Sequence, residues 1–217
     1  MKRLLIATAF SLLWTSSAYA QTCLGNMTFE SQPLRVGANV AFSSDTHTFG
    51  GGVTRGLNNN LFALGGLQYQ GISDFGEGGN IIGFVGAVGK EFPLGADQKF
   101  FLCPTGSFFF LSGPEVFVDN KASTVMFNFG GNVGFEAATS GTTRIVPTFG
   151  FHFNIARQSF SSEGFGDFTD SETFATLNAG VGLIFNDRMA LVPSLVIPFV
   201  EDTELTFNVI FTIKVGK

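Results

Sequence analysis

Downstream of residue 32 the chain alternates between apolar and small polar positions, in stretches of 10 to 16 residues separated by polar turns. Successive side chains of a β-strand point to opposite faces, so a period of two marks a strand with two unlike surfaces. Ten strands are predicted on this basis, over 33–43, 46–55, 60–72, 80–92, 98–111, 123–137, 143–158, 173–185, 189–200 and 204–215. In 123–137 one face carries Val125, Phe127, Phe129, Val133 and Phe135, and the other Asn128, Gly130, Asn132, Gly134 and Glu136. In 143–158 Ile145, Phe149, Phe151, Phe153 and Ile155 oppose Arg144, Thr148, Gly150, His152 and Asn154. The last stretch sets Leu205, Phe207, Val209, Phe211, Ile213 and Val215 against Thr206, Asn208, Thr212 and Lys214. No long stretch has a 3.6-residue apolar period, so long helices are not expected.

The two faces differ in a way that decides which one looks outward. A water-soluble barrel hides its apolar face and covers the other with charge. Here the second face is Gly, Asn, Thr and Ser with few Lys or Glu, a poor coat for water but a fitting lining for a narrow lumen. Phenylalanine against acyl chains carries no penalty, whereas a charge near the midplane costs about 2–4 kcal/mol. The expected fold is therefore all-β, a closed antiparallel up-and-down transmembrane β-barrel of ten strands, with eight as the alternative. Closure follows from the solvent, because an open sheet edge leaves unpaired amides in hydrocarbon.

The connections divide into two sets. With both termini at one end, 56–59, 93–97, 138–142 and 186–188 form a short set, and 44–45, 73–79, 112–122, 159–172 and 201–203 form a set holding the longest. Short periplasmic turns and long external loops are the asymmetry of membrane barrels. Charge divides the same way. Asp45, Asp74, Glu77, Glu115, Asp119, Glu163, Asp167, Asp170, Glu172, Glu201, Asp202 and Glu204 fall at the long-loop end, with Lys121 and Arg157 among them. Arg55, Lys90, Lys99, Arg144, Arg188, Lys214 and Lys217 fall at the other. The turn at 138–142 centres on Ser140. Phe129 is then expected opposite Phe151, Phe127 opposite Phe153, Glu136 opposite Arg144, Asn132 opposite Thr148 and Asn128 opposite His152. Such cross-strand pairs contribute roughly 0.2–1 kcal/mol each.

The first residues bear on compartment. Lys2 and Arg3 precede an apolar run, Leu4 to Trp14, too short to span a bilayer, and Ala18-Tyr19-Ala20 suits a signal peptidase. Residues 1–20 are expected to be a cleaved signal peptide, 21–32 a periplasmic N-terminal segment and 33–217 the barrel. Loss of Lys2 and Arg3 leaves 10 basic against 17 acidic residues, taking the charge from −5 to −7. An acidic chain of this kind is a poor partner for nucleic acid. Mean hydropathy is positive at +0.30, yet no segment after the leader is apolar over the roughly 18 residues of a membrane helix.

The leader and glycine-bearing strands such as Asn178-Ala179-Gly180-Val181-Gly182-Leu183-Ile184-Phe185 and Val133-Gly134-Phe135 give the chain a resemblance to small bacterial outer-membrane β-barrels of the OmpA/OmpX type. The resemblance covers nearly all of the mature chain and carries no active-site motif. It implies a Gram-negative outer-membrane location, insertion by the barrel-assembly machinery, and contact with outer-membrane lipids and lipopolysaccharide. Two features depart from that family. Its members often end on an aromatic residue, whereas this chain ends Ile213-Lys214-Val215-Gly216-Lys217. Its Trp and Tyr girdles must be supplied by Phe, since Tyr69 is the one Tyr or Trp after the leader.

Chemistry-bearing residues are few. Asn128, Asn132, Glu136, Arg144, His152 and Asn154 are expected to line the lumen, His152 as a hydrogen-bonded structural residue. Cys103 alternates with Thr105 and Ser107, placing it on the lumen side, where a disulfide to Cys23 competes with two separate thiols. Glu136, Arg144, Glu91 and Lys214 are candidates for an internal ion-pair cluster at the periplasmic end. His47 lies near Ser43, Ser44 and Asp45, a composition able in principle to cleave a lipid ester but with no motif spacing. The acidic segment 159–172, with Phe160, Phe165 and Phe168, reads as a solvated loop whose rings rest on the rim. It has no calcium-loop pattern. No catalytic residue, metal site or cofactor is expected. The function expected is a monomeric, non-enzymatic outer-membrane barrel with a structural or surface-interaction role. A narrow channel for small or apolar molecules is the first alternative, and a lipid-acting enzyme the second.

Overall fold

The computed structural model of the chain describes residues 34–44, 46–72, 80–94, 100–113, 120–162, 166–200 and 204–215. Among the described residues there are twelve strands: β1 (Leu34–Phe42), β2 (Thr46–Gly56), β3 (Leu61–Ile72), β4 (Asn80–Lys90), β5 (Phe92–Leu94), β6 (Phe100–Ser112), β7 (Asn120–Phe135), β8 (Ala138–Ser140), β9 (Thr143–Ser162), β10 (Gly166–Phe185), β11 (Met189–Pro198) and β12 (Thr206–Val215). Two of them are short continuations. β5 resumes β4 after Glu91 and pairs with the start of β6, and β8 resumes β7 after Glu136 and Ala137 and pairs with the start of β9. Ten staves therefore make the wall, every neighbouring pair antiparallel. The ring closes where β1 pairs with β12, from Leu34 opposite Val215 to Phe42 opposite Phe207.

Strand alternation sorts the side chains across this wall. Phe127, Phe129, Phe149, Phe151 and Phe153 face outward and are 42–54% exposed, while the intervening Asn128, Asn132, His152 and Asn154 are buried in the lumen. The same holds for Phe207, Phe211 and Ile213 against Asn208 and Thr212 on β12. Neighbouring outward rings stack edge to face, as Phe151 and Phe153 do with centroids 4.9 Å apart. A surface of exposed phenylalanine around a closed ring suits hydrocarbon and not water.

The hairpin register corrects the expectation from the sequence. Phe129 faces Phe153, Asn128 faces Asn154 and Gly134 faces Thr148, two residues from the expected alignment. Nearer the turn Thr139 faces Arg144 and Ser140 faces Thr143. The turn is thus tighter and centred on Gly141-Thr142. Gly141 has φ 58°, a value that favours glycine and that the first residue of a primed hairpin turn needs. One extra residue on the β7–β8 side, at the Glu136–Ala137 break, then shifts the register once more. The even displacement leaves Asn128, Asn132, His152 and Asn154 buried on the inner face.

The external hairpin is the second correction. Residues 159–162 and 166–172 are not a loop but paired strand, with Ser159 opposite Thr169 and Ala156 opposite Glu172. Backbone pairing needs no apolar face, and strand-forming Thr and Phe residues sustain the ladder here. Phe168 is 58% exposed, so its ring is not covered by the rim.

Candidate functional site

Inward side chains of β7, β9 and β10 form the polar network of the lumen. Asn154 Nδ2 donates to the Phe174 carbonyl and to Thr176 Oγ1, each at 3.4 Å. Asn128 Nδ2 donates to Asn154 Oδ1 at 2.8 Å, and His152 Nδ1 lies 3.1 Å from Asn128 Oδ1. His152 Nε2 lies 3.1 Å from Asn132 Oδ1. The Phe174 carbonyl can only accept, so it assigns the direction of the row: both Asn amides point their oxygens back toward the histidine, and Nδ1 carries a proton. Nε2 of a neutral ring then accepts, which requires Asn132 to turn its amide nitrogen toward it; an imidazolium would instead donate to the oxygen. Gly130 and Gly150 make room for the row. A Cβ on Gly150 would strike Asn132 Oδ1, and one on Gly130 would strike the His152 ring and the Phe151 carbonyl.

A second polar pair lies on β11 and β12, where Asn208 Nδ2 donates to Ser194 Oγ at 3.2 Å. Several inward atoms are buried without a hydrogen-bond partner among the described residues, including both amide atoms of Asn178 and the hydroxyls of Thr48, Thr148 and Thr206. Next to the polar row runs an apolar band of Leu64, Val85, Ala87, Phe109, Met126, Ala156 and Phe174. Phe62, Phe109 and Phe174 thus point inward, against the expectation of a lumen lined by small polar residues alone. Around Phe109 the run Phe108-Phe109-Phe110 puts the same residue on both faces, so alternation gave no sign of it.

At the short-turn rim Arg144 lies 3.5 Å from Glu136 and 2.8 Å from Asp187. Asp187 sits at φ 54° beside Asn186 at φ 51°, in a turn closed by the Arg188 amide donating to the Phe185 carbonyl at 3.0 Å. Glu91 is attracted instead to Arg35, and both are buried. Glu136 and Arg144 are therefore a rim pair, set apart from the row around His152. Cys103 is fully buried on the lumen face and disulfide-bonded; Cys23 lies outside the described residues. Among the described residues the lipid-ester candidate is not assembled. Ser43 Oγ bonds to Thr46 Oγ1 at 2.9 Å, the Ser44 amide donates to Glu204 at 3.0 Å, and His47 packs on Phe49. Asp45 lies outside the described residues, as do Glu163 and Phe165.

Closed ring, apolar outside and polar inside: these are the features by which the chain compares with known structures. The fold is that of a small outer-membrane β-barrel. It is similar to the translocator domain of the autotransporter NalP from Neisseria meningitidis, at 10% identity and a TM-score of 0.57, covering 95% of each chain. It is similar also to the β domain of the Bordetella autotransporter BrkA, at 10% identity and a TM-score of 0.53, covering 85% of this chain and 100% of that one. At such identity the likeness is one of fold alone. No protein-family model matches the sequence, and no curated protein matches it.

The barrel presents two chemically distinct regions. Its lumen offers neutral amides and hydroxyls, suited to binding water and uncharged polar groups. Its long-hairpin end carries Asp170, Glu172 and Glu204, and its short-turn end Arg55, Lys90, Arg144 and Arg188 together with Glu91, Glu136 and Asp187. Lys99 and Lys217 of the predicted basic set lie outside the described residues.

Proposed function

We propose that this protein is an integral outer-membrane β-barrel with a structural or surface-interaction role and no catalytic one. The observation that carries this reading is the sorting across the wall: exposed phenylalanine outside, buried amides and hydroxyls inside, and no free edge in the ring. In lipid each backbone group must be paired internally, which a closed ring achieves. The protein sits as a monomer among outer-membrane lipids and lipopolysaccharide, is placed there by the barrel-insertion machinery and is exported by a signal peptide removed before Gln21. Outer-membrane fractionation tests this, with gel samples run heated and unheated. The folded barrel migrates apart from its boiled form, and N-terminal sequencing starts at Gln21. Recovery in the soluble fraction would sink the proposal.

A narrow channel is the second reading, favoured by one observation. Asn178, Thr48, Thr148 and Thr206 bury polar atoms that have no hydrogen-bond partner among the described residues. Buried groups of this kind are where ordered water sits. Potassium chloride conductance in planar bilayers tests it, and unitary steps well below those of a wide porin are the expected result.

A further inference from the structure

We infer that the outer face of the β2–β4 wall, at the short-turn end, holds the headgroup of an anionic glycerophospholipid between Arg55 and Lys90. Both side chains point outward. Arg55 is exposed between the buried Thr54 and Gly56, and Lys90 lies between the buried Gly89 and Glu91. Arg55 stands opposite Ala63 of β3, and Lys90 opposite Leu61, two residues away on the same strand. Two strand spacings and two residue steps put their Cα atoms about 12 Å apart. Two long side chains can close on one phosphate group across that span, over the small Ala63.

Their surroundings set these two cations apart. Arg55 lies between outward Val53 and Leu57, and Lys90 between outward Val88 and Phe92, all four of them exposed. The apolar surface continues past Lys90 toward the end of the barrel, where Phe92 pairs with Leu102 and Leu94 with Phe100, again all exposed. Both cations therefore stand inside the edge of the apolar belt and not in the water beyond it. A charge on a lipid-facing surface is disfavoured unless it meets an opposite charge or reaches the headgroups. Arg55 and Lys90 form no ion pair among the described residues, whereas Arg144 at the same end has both Glu136 and Asp187. Lys90 Nζ lies 4.8 Å from the centroid of the Phe92 ring, so its stem runs toward the end of the barrel, where headgroups lie.

Two positive charges without a protein counter-charge call for a headgroup of net negative charge. A zwitterionic lipid brings an ammonium group of its own and leaves the pair in excess. Short turns mark the periplasmic end of a membrane barrel. Lipopolysaccharide occupies the opposite leaflet, so the occupant is a glycerophospholipid.

This site rests on the barrel reading with its short turns in the periplasm, which the heated and unheated gel tests separately. For the site itself, the folded protein in mild detergent is offered equal amounts of phosphatidylglycerol and phosphatidylethanolamine with the same acyl chains. Native mass spectrometry then counts the bound lipid. One phosphatidylglycerol should be held, preferred several-fold. The preference should vanish in the double variant Arg55→Gln/Lys90→Gln. It should persist in Lys90→Arg and in Arg188→Gln, which removes a cation elsewhere at the same end. A folded wild type with no preference would overturn the site, and so would a preference that survives the double variant or falls equally in Arg188→Gln. In particles purified directly from the outer membrane, the lipid lost from the double variant should be a phospholipid. Loss of lipopolysaccharide instead would overturn the assignment.

Discussion

At Asn154 one backbone acceptor orders a row of side chains. Because the Phe174 carbonyl takes the Asn154 amide hydrogen, the direction of each later bond follows, ending at the His152 ring. The residues of this row were legible from alternation alone, since Asn128, Asn132, His152 and Asn154 all fall on the small polar face. Their partnership was not, because it depends on register. The shift of two positions moves His152 from beside Asn128 to a place between Asn128 and Asn132. Asn128→Leu removes the partner of both Asn154 Oδ1 and His152 Nδ1. Each buried group left unpaired costs about 1–3 kcal/mol. The urea midpoint of the refolded barrel, read by the heat-shifted gel band, should fall accordingly, and an unchanged midpoint would show the row to be solvated instead. Gly150→Ala should lower the same midpoint, because its methyl group meets Asn132 in the middle of the row.

Among the elements, β9 and β10 differ most from the reading of the sequence. The alternation of phenylalanine against amide stops near Ile155, and a search for lipid-facing strands stops there too. The ladder continues to Ser162 opposite Gly166, since backbone pairing in water needs no apolar face. The extension is a hairpin tip above the apolar belt, held by pairing with β7 along one side up to Asn120. Replacing residues 159–169 with a short Gly-Ser turn should therefore leave the heat-shifted band and membrane fractionation unchanged. Loss of the folded band would show that the tip is needed for closure. Turn chemistry was also partly hidden. Gly141 is a plain turn signal, but the strand break at Glu136–Ala137 leaves no mark in composition, and it sets the register of the whole hairpin.

For the whole molecule, the prediction is one of depth. Phe153→Arg places a charge in the outward apolar belt and should lower stability by about 2–4 kcal/mol, whereas Thr169→Arg, outward and above the belt, should change it by less than about 1 kcal/mol. Equal losses at both sites, measured as urea midpoints in lipid vesicles, would contradict the placement of the belt. The all-β closed barrel, its ten-strand count and the facing of β7, β9 and β12 were legible in the sequence alone, because a period of two with phenylalanine on one side has one low-energy solvent arrangement. Tertiary structure decided the rest: which inward residues touch, that Glu91 is attracted to Arg35, that Phe62, Phe109 and Phe174 fill the interior, and that Cys103 is bonded. The reason is physical. Periodicity is a property of one strand, whereas register, stagger and ring closure arise between strands, where a break of one residue changes every partner without changing the pattern.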